Sequence, residues 1–144
     1  MAAHAFFATC PRGLEAALAA ELAPLGAVRV TPGDGGVAFE GGLDLAYAAN
    51  LHSRLASRIL WRVGQGRYRD ERDVHRLARD IDWPGLFRAD RTLRVDVAAV
   101  RSPLTSLEFA TLTIKDAIVD RFREAAATRP SVDKRAPGVR VHAF

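Results

Sequence analysis

Residues 106–144 read SLEFATLTIKDAIVDRFREAAATRPSVDKRAPGVRVHAF, and the reading of the other residues follows from this stretch. Leu107, Ala110, Ile114, Ala117, Ile118, Phe122 and Ala125 recur at helical spacing, so one apolar stripe must lie against another layer. Lys115, Asp116, Asp120 and Arg123 fall on the flank or the far side of that helix. Thr128, Pro130 and Pro137 stop it, because proline lacks an amide hydrogen and restricts the residue before it. Lys134 and Arg135 occupy the proline-bounded loop, and Val139, Val141 and Ala143 then alternate with Arg140 and His142 as a short strand. A helix leading through a basic loop into a strand is half of an α/β layer. It carries cation and no catalytic constellation.

Working back from that helix, Arg101 to Thr105 is a loop, and Leu93, Val95, Val97 and Ala99 alternate with Arg94 and Asp96 as a half-buried strand. Asp70 to Asp80 is a charged helix, broken by Asp82-Trp83-Pro84, with Gly85-Leu86-Phe87 as a short helical turn. In the first half, Ala5–Ala8 reads as a buried strand. Thr9-Cys10-Pro11 reads as the start of a helix that buries Leu14, Ala17, Leu18, Leu22 and Leu25 and ends at Gly26. Val28–Thr31 and Val37–Glu40 form a hairpin around the turn Pro32–Gly36. Leu43 to Leu51 is a second helix and Arg58 to Val63 a closing strand, with Ile59, Trp61 and Val63 on its apolar side. The predicted class is α+β, a ferredoxin-like βαββαβ unit over residues 1–67 followed by a second α/β unit over 68–144.

Composition narrows the function classes. The 144 residues, 49% apolar and 26% charged, suit a globular chain that builds its core without disulfides. No apolar run approaches the roughly 18 residues of a membrane helix, and the short apolar run at the N-terminus lacks the charged start of a secretion signal. A lone cysteine, Cys10, suits a reducing compartment, so the cytoplasm is the expected location. The net charge of +4 conceals an asymmetry: residues 1–50 carry −3 and residues 51–144 carry +7, nearly all of the cation being arginine. An arginine-rich half points toward phosphate, which the guanidinium fork binds through paired hydrogen bonds, although any solvated face of an arginine-preferring sequence looks the same.

The candidate chemical motifs are few. Gly33-Asp34-Gly35-Gly36 joins two antiparallel strands, whereas a phosphate loop opens a helix. Gly64-Gln65-Gly66 lacks the third glycine and the following helix. His4, His52, His75 and His142 have no metal-ligand spacing with one another or with Cys10, so no metal is expected; His52 falls on the apolar side of its helix. Cys10 has no neighbouring base and reads as a small buried hydrophobe. Asp70-Glu71 and Asp116/Asp120 read as solvated helix positions. SRLASR at 53–58 has two readings. Ser53, Arg54 and Arg58 are a phosphate-positioning set, or the arginines pair with Asp70 or Asp73 and staple the two units. Arg101, Lys115, Lys134 and Arg135 are either a phosphate track or solvated cation. Trp61, Tyr68 and Trp83 could stack on bases, with core packing the stronger reading for the two tryptophans.

Six segments carry a resemblance in the same order across the chain: ATCPRGLEAALAAEL (8–22), GGVAFEG (35–41), LHSRLASRILWRVG (51–64), IDWPGLF (81–87), TIKDAIVDRFRE (113–124) and RPSVDKRAPGVRVHAF (129–144). Together they resemble the N-terminal region of the bacterial S-adenosylmethionine-dependent methyltransferases of large-subunit ribosomal RNA, which modify a guanine amine and are often fused to a second methyltransferase. The resemblance implies that residues 68–144 are a THUMP domain, an RNA-binding module, lacking its closing hairpin. The strand near Val139–Ala143 would then lack its usual neighbour, leaving an open edge or a partner from another chain. The family's catalytic motif, an Asn/Asp-Pro-Pro-aromatic sequence, has no counterpart here: there is no Pro-Pro pair, and Asn50 is the sole asparagine.

The function this implies is an RNA-binding, substrate-positioning module whose catalytic domain lies outside these residues. It would hold no cofactor itself, with S-adenosylmethionine belonging to the parent's catalytic domain. Its partners would be ribosomal RNA and that methyltransferase domain, with no membrane involved. Ser53, Arg54, Arg58, Arg101, Lys115, Lys134 and Arg135 are the expected RNA contacts. A protein-facing module that docks the catalytic domain without touching RNA is the first alternative. A small acylphosphatase-like enzyme is the second, disfavoured because it needs an asparagine to orient water and Asn50 lies inside a helix.

Overall fold

The computed structural model describes residues 3–126 and 128–144. Two compact units divide the chain, Met1–Val63 and Gly64–Phe144.

The first unit runs β1 (His4–Thr9), α1 (Glu15–Leu22, continued by a 3₁₀ turn at Ala23–Leu25), β2 (Val28–Gly33), β3 (Gly36–Gly41), α2 (Leu43–His52) and β4 (Arg58–Arg62). Its four strands form one antiparallel sheet in the order β2-β3-β1-β4, the arrangement of a ferredoxin-like βαββαβ unit. Alternation along β1 and β3 sends Phe6, Ala8, Val37 and Phe39 to one face, where they pack with Leu18 and Leu22 of α1 and Leu45 and Ala49 of α2. Asp34 and Gly35 make the hairpin turn, and Gly35 has φ +78°, a conformation in which a Cβ would be strained.

Local readings of this unit need correction in three places. α1 begins at Glu15 and not at Pro11, because Glu15 accepts hydrogen bonds from the Gly13 and Gly35 amides and turns residues 11–14 into a loop that leaves Leu14 and Ala17 exposed. His52 is exposed on the last turn of α2, since Leu45 and Ala49 set the buried side. Trp61 is 42% exposed, because β4 is an edge strand; its indole meets His4 edge-on, with centroids 5.1 Å apart.

The second unit runs α3 (Glu71–Arg79), α4 (Trp83–Leu86), β5 (Leu93–Val97), α5 (Leu107–Ala126) and β6 (Val139–Ala143). Asp70 caps α3 by accepting from the Asp73 amide, and the Asp73 carboxylate accepts from the Arg69 amide. β5 and β6 pair in parallel, Leu93 opposite Val139 through Val97 opposite Ala143. β6 thus has β5 as its neighbour on one side, and no strand among the described residues pairs with its other side. Ala110, Ile114, Ala117, Ile118, Val119 and Phe122 of α5 are buried with Leu93 and Trp83. Leu107 and Ala125, at the ends of the expected stripe, are exposed, and Val119 completes it instead. Trp83 lies in the core as expected, and its indole donates to the Ala78 carbonyl at 2.7 Å, which satisfies its one polar atom. His75–Asp120 and Arg79–Glu124 tie α3 to α5 along their exposed flank.

Candidate nucleic-acid interface

In the first unit SRLASR is occupied by an anion that belongs to the protein itself. Glu21, at the end of α1, accepts from the Ser53 hydroxyl at 2.8 Å, the Arg54 amide at 2.6 Å and the Leu55 amide at 3.4 Å. The Ser53 hydroxyl in turn accepts from the Ala56 amide. Ser53 therefore closes the junction between α2 and β4 and is spent on Glu21, as is the backbone of Arg54. The anion-binding chemistry read from this segment is present, but its ligand is a carboxylate 32 residues earlier in the chain. Asp70 and Asp73 are engaged within α3, Asp73 pairing with Arg76 at 3.0 Å. Arg54 and Arg58 remain exposed.

Desolvation pushes the Glu21 carboxyl upward, but the Arg54 amide, the Ser53 hydroxyl, the Leu55 amide and the Arg54 charge outweigh it, and the group is held below its ordinary range. Glu15 is lowered as well, by its own amide and those of Gly35 and Gly13. A carboxyl with a depressed folded-state pKa stabilises the fold above its unfolded value and loses that contribution as pH falls through the folded one. Stability should therefore decline as pH drops below about 4.5. Glu21→Ala should cost about 2 kcal/mol at neutral pH and flatten the acid limb, which denaturant titrations at several pH values would check.

The second unit gathers its cations at one end. The segment Ser131–Gly138 is laid against the start of β5: Leu93 donates to the Ser131 carbonyl, Asp133 donates to the Leu93 carbonyl, and the Gly138 amide donates to the Thr92 hydroxyl. The Asp133 carboxylate accepts from the Arg135 amide at 2.9 Å and the Ala136 amide at 3.2 Å, which folds the loop and lowers the carboxyl's pKa. Arg94 donates to Asp96 at 3.0 Å and to the Lys134 carbonyl at 2.8 Å, fastening the loop to the strand. The local acids are thus consumed in shaping the loop, whereas Lys134 and Arg135 project from it exposed, with no ion pair among the described residues.

The parallel register adds cations that the sequence reading did not single out. Arg140 stands opposite Arg94 on the neighbouring strand, so the two share one face of the sheet. Arg91 lies against Gly138, where an added Cβ would come within 3.5 Å of Arg91 Cδ. Arg91, Lys134, Arg135 and Arg140, steadied by Arg94, form one basic end. Arg101 is not part of it. It lies beyond Val97, at the opposite end of a strand about 13 Å long, in a left-handed conformation with φ +54°. Lys115 is not part of it either: it is half-buried on α5 and pairs with Asp116 at 2.7 Å.

Other candidate chemistries find little support. The Cys10 thiol is buried, and desolvation together with the nearby Glu15 charge pushes its pKa up, away from thiolate character. Asn50 donates to the Ala46 carbonyl at 2.7 Å within its own helix. Tyr68 is half-buried and shares a 2.9 Å hydrogen bond with Ser102. Among the described residues no three His, Cys, Asp or Glu side chains converge as metal ligands, and no helix is long and apolar enough to cross a membrane.

Comparison with known proteins adds two family matches. The RlmL ferredoxin-like domain matches residues 5–60 and the THUMP domain matches residues 68–144. The "Ribosomal RNA large subunit methyltransferase K/L" of Aeromonas salmonicida (strain A449) is 43% identical over 138 residues, covering 96% of this chain. The chain spans 19% of that relative's length. Among solved structures, a predicted N6-adenine-specific DNA methylase from Listeria monocytogenes str. 4b F2365 superposes with TM-score 0.84 at 28% identity, over 91% of this chain and 35% of its own. SMU.472, a presumed methyltransferase complexed with SAH, superposes with TM-score 0.82 at 25% identity, over 99% of this chain and 38% of its own.

Proposed function

We infer, from the premise that this chain belongs to the THUMP-domain family and carries an RlmL ferredoxin-like domain ahead of the THUMP domain, that it is the RNA-binding, substrate-positioning part of a cytoplasmic ribosomal RNA methyltransferase. One observation carries the reading furthest: Arg91, Lys134, Arg135 and Arg140 gather at one end of the second unit while Asp133 beside them is spent on backbone amides and Asp96 on Arg94. Such an end grips phosphates, which fix register without specifying bases. Base choice would then come from RNA shape and from the parent's catalytic domain. S-adenosylmethionine would be bound by that domain, as the neighbour solved with SAH supports, and large-subunit RNA would be the substrate, as the relatives' names support; a guanine amine as acceptor rests on the sequence resemblance alone.

A ribosomal RNA fragment titrated with the 144-residue protein tests the reading. Four phosphate contacts predict a loss of about seven- to twelvefold in affinity for each doubling of salt, from a Kd of about a micromolar or weaker. Affinity indifferent to salt would contradict it.

The protein-facing alternative has one observation in its favour. Leu43, Tyr47 and Leu51 recur at one-turn spacing along α2 and are 44%, 75% and 78% exposed. That stripe suits contact with the parent's other domain and is compatible with RNA binding elsewhere. Cross-linking to RNA separates a module that does both from one that does only the first. The position of Asn50, spent within its helix, weighs against acylphosphatase chemistry.

A further inference from the structure

The ferredoxin-like sheet has a second face, turned away from α1 and α2, to which no role has yet been given. Its residues follow from register. Phe7 on β1 stands opposite Ala38 on β3 and Leu60 on β4, and Thr31 continues that row on β2. One row over, Ala5 lies between Glu40 and Arg62, and on the other side Thr9 lies between Gly36 and Arg58. The middle of this face is therefore nearly flat, built of alanine, threonine and glycine, with one aromatic ring at its centre. A Cβ at Gly36 would come within 2.6 Å of two Phe7 ring carbons, so the ring lies down over that glycine, and Phe7 is still half-exposed.

Charge on the face is lopsided. Glu40, the one acid on this face among the described residues, is paired with Arg29 at 3.3 Å, and Arg58 and Arg62 add cation along β4, where both are exposed. A flat centre with an aromatic ring laid upon it, and guanidinium groups along one edge, matches the two demands of an unpaired nucleotide: a π-surface for the base and a cation for the phosphate. A duplex fits poorly, since its bases are already stacked on each other. A protein partner would be expected to meet a larger apolar area than one phenylalanine and one half-buried leucine provide.

We propose that this sheet face is a second RNA site, which takes a single-stranded nucleotide by stacking its base on Phe7 and its phosphate on the β4 arginines. The site rests on the reading of the chain as an RNA binder but not on the basic loop of the second unit. It would hold an unpaired nucleotide while the loop holds backbone phosphates.

The test is binding of the 144-residue protein to a short single-stranded RNA carrying 2-aminopurine, beside a duplex of the same sequence. Phe7→Leu keeps an apolar side chain over Gly36 and removes the π-face. It should weaken single-strand binding about tenfold and abolish the fluorescence quenching that stacking produces, while duplex affinity and melting temperature stay unchanged. Phe7→Tyr should restore both signals. Equal loss for single strand and duplex, no loss with Phe7→Leu, or no quenching by the unaltered protein would each overturn the proposal. A loop variant, Lys134→Glu with Arg135→Glu, keeps the two readings apart: it should weaken both RNAs and leave the quenching at saturation intact.

Discussion

Gly36→Ala should cost about 3 kcal/mol and lower the melting temperature by about 10 °C, the largest stability effect expected of any single methyl group in this protein. Gly36 opens β3, a central strand, beside Thr9 of β1. A Cβ there would run into the Ala8 carbonyl oxygen and two carbons of the Phe7 ring, the latter at 2.6 Å. The ring could swing aside, but the carbonyl belongs to a strand paired on both sides and cannot. Relief would have to come from separating β1 and β3 where the core residues Ala8 and Val37 sit. Gly33→Ala is the matched control: it lies in the partner strand of the same hairpin with nothing within 4 Å of the added carbon, and thermal unfolding should move by less than 2 °C.

Reversing two charges at the basic end should have the largest effect on binding. Lys134→Glu with Arg135→Glu should lower RNA affinity at least thirtyfold at physiological salt, since each lost phosphate contact is compounded by repulsion from the new carboxylate. The fold should tolerate the change. Both side chains are exposed, and the loop is held by Arg94, Asp133 and backbone bonds that the substitutions leave in place. The same reversal at Lys115 and Arg101 should do much less, because Lys115 already shares its charge with Asp116 and Arg101 lies at the far end of β5. Titration of one RNA fragment against the two double variants would rank them directly.

Much of the architecture was legible because period and punctuation agreed. The alternation on β1 and β3 places Phe6, Phe39 and Val37 inward, Asp34-Gly35 admits a tight turn, and Ala110, Ile114, Ala117, Ile118 and Phe122 trace the buried side of α5. The failures share a cause, which is that pattern does not say what a side chain meets across a fold. Ser53 and Arg54 form an anion-binding turn as their chemistry suggests, but the folding of α1 over the sheet delivers Glu21 to it. Trp61 follows the apolar alternation of β4 and still stands at an edge, because strand order is invisible in a single strand. The basic end was only half found for the same reason. Lys134 and Arg135 announce themselves as neighbours in sequence. Arg140 joins Arg94 only through the parallel register, and Arg91 joins them through its contact with Gly138. The one available signal was that Arg94 and Arg140 each occupy the polar side of a short alternating strand.

The account stands or falls on whether those loop and strand cations touch RNA phosphates, and the slope of log Kd against log salt counts such contacts. It should be measured for the unaltered protein and for a variant with Arg91, Lys134, Arg135 and Arg140 changed to glutamine. Loss of about three to four contacts predicts a slope shallower by about 2 to 3.5. An unchanged slope, with RNA still bound, would place the phosphate grip elsewhere and contradict the central claim.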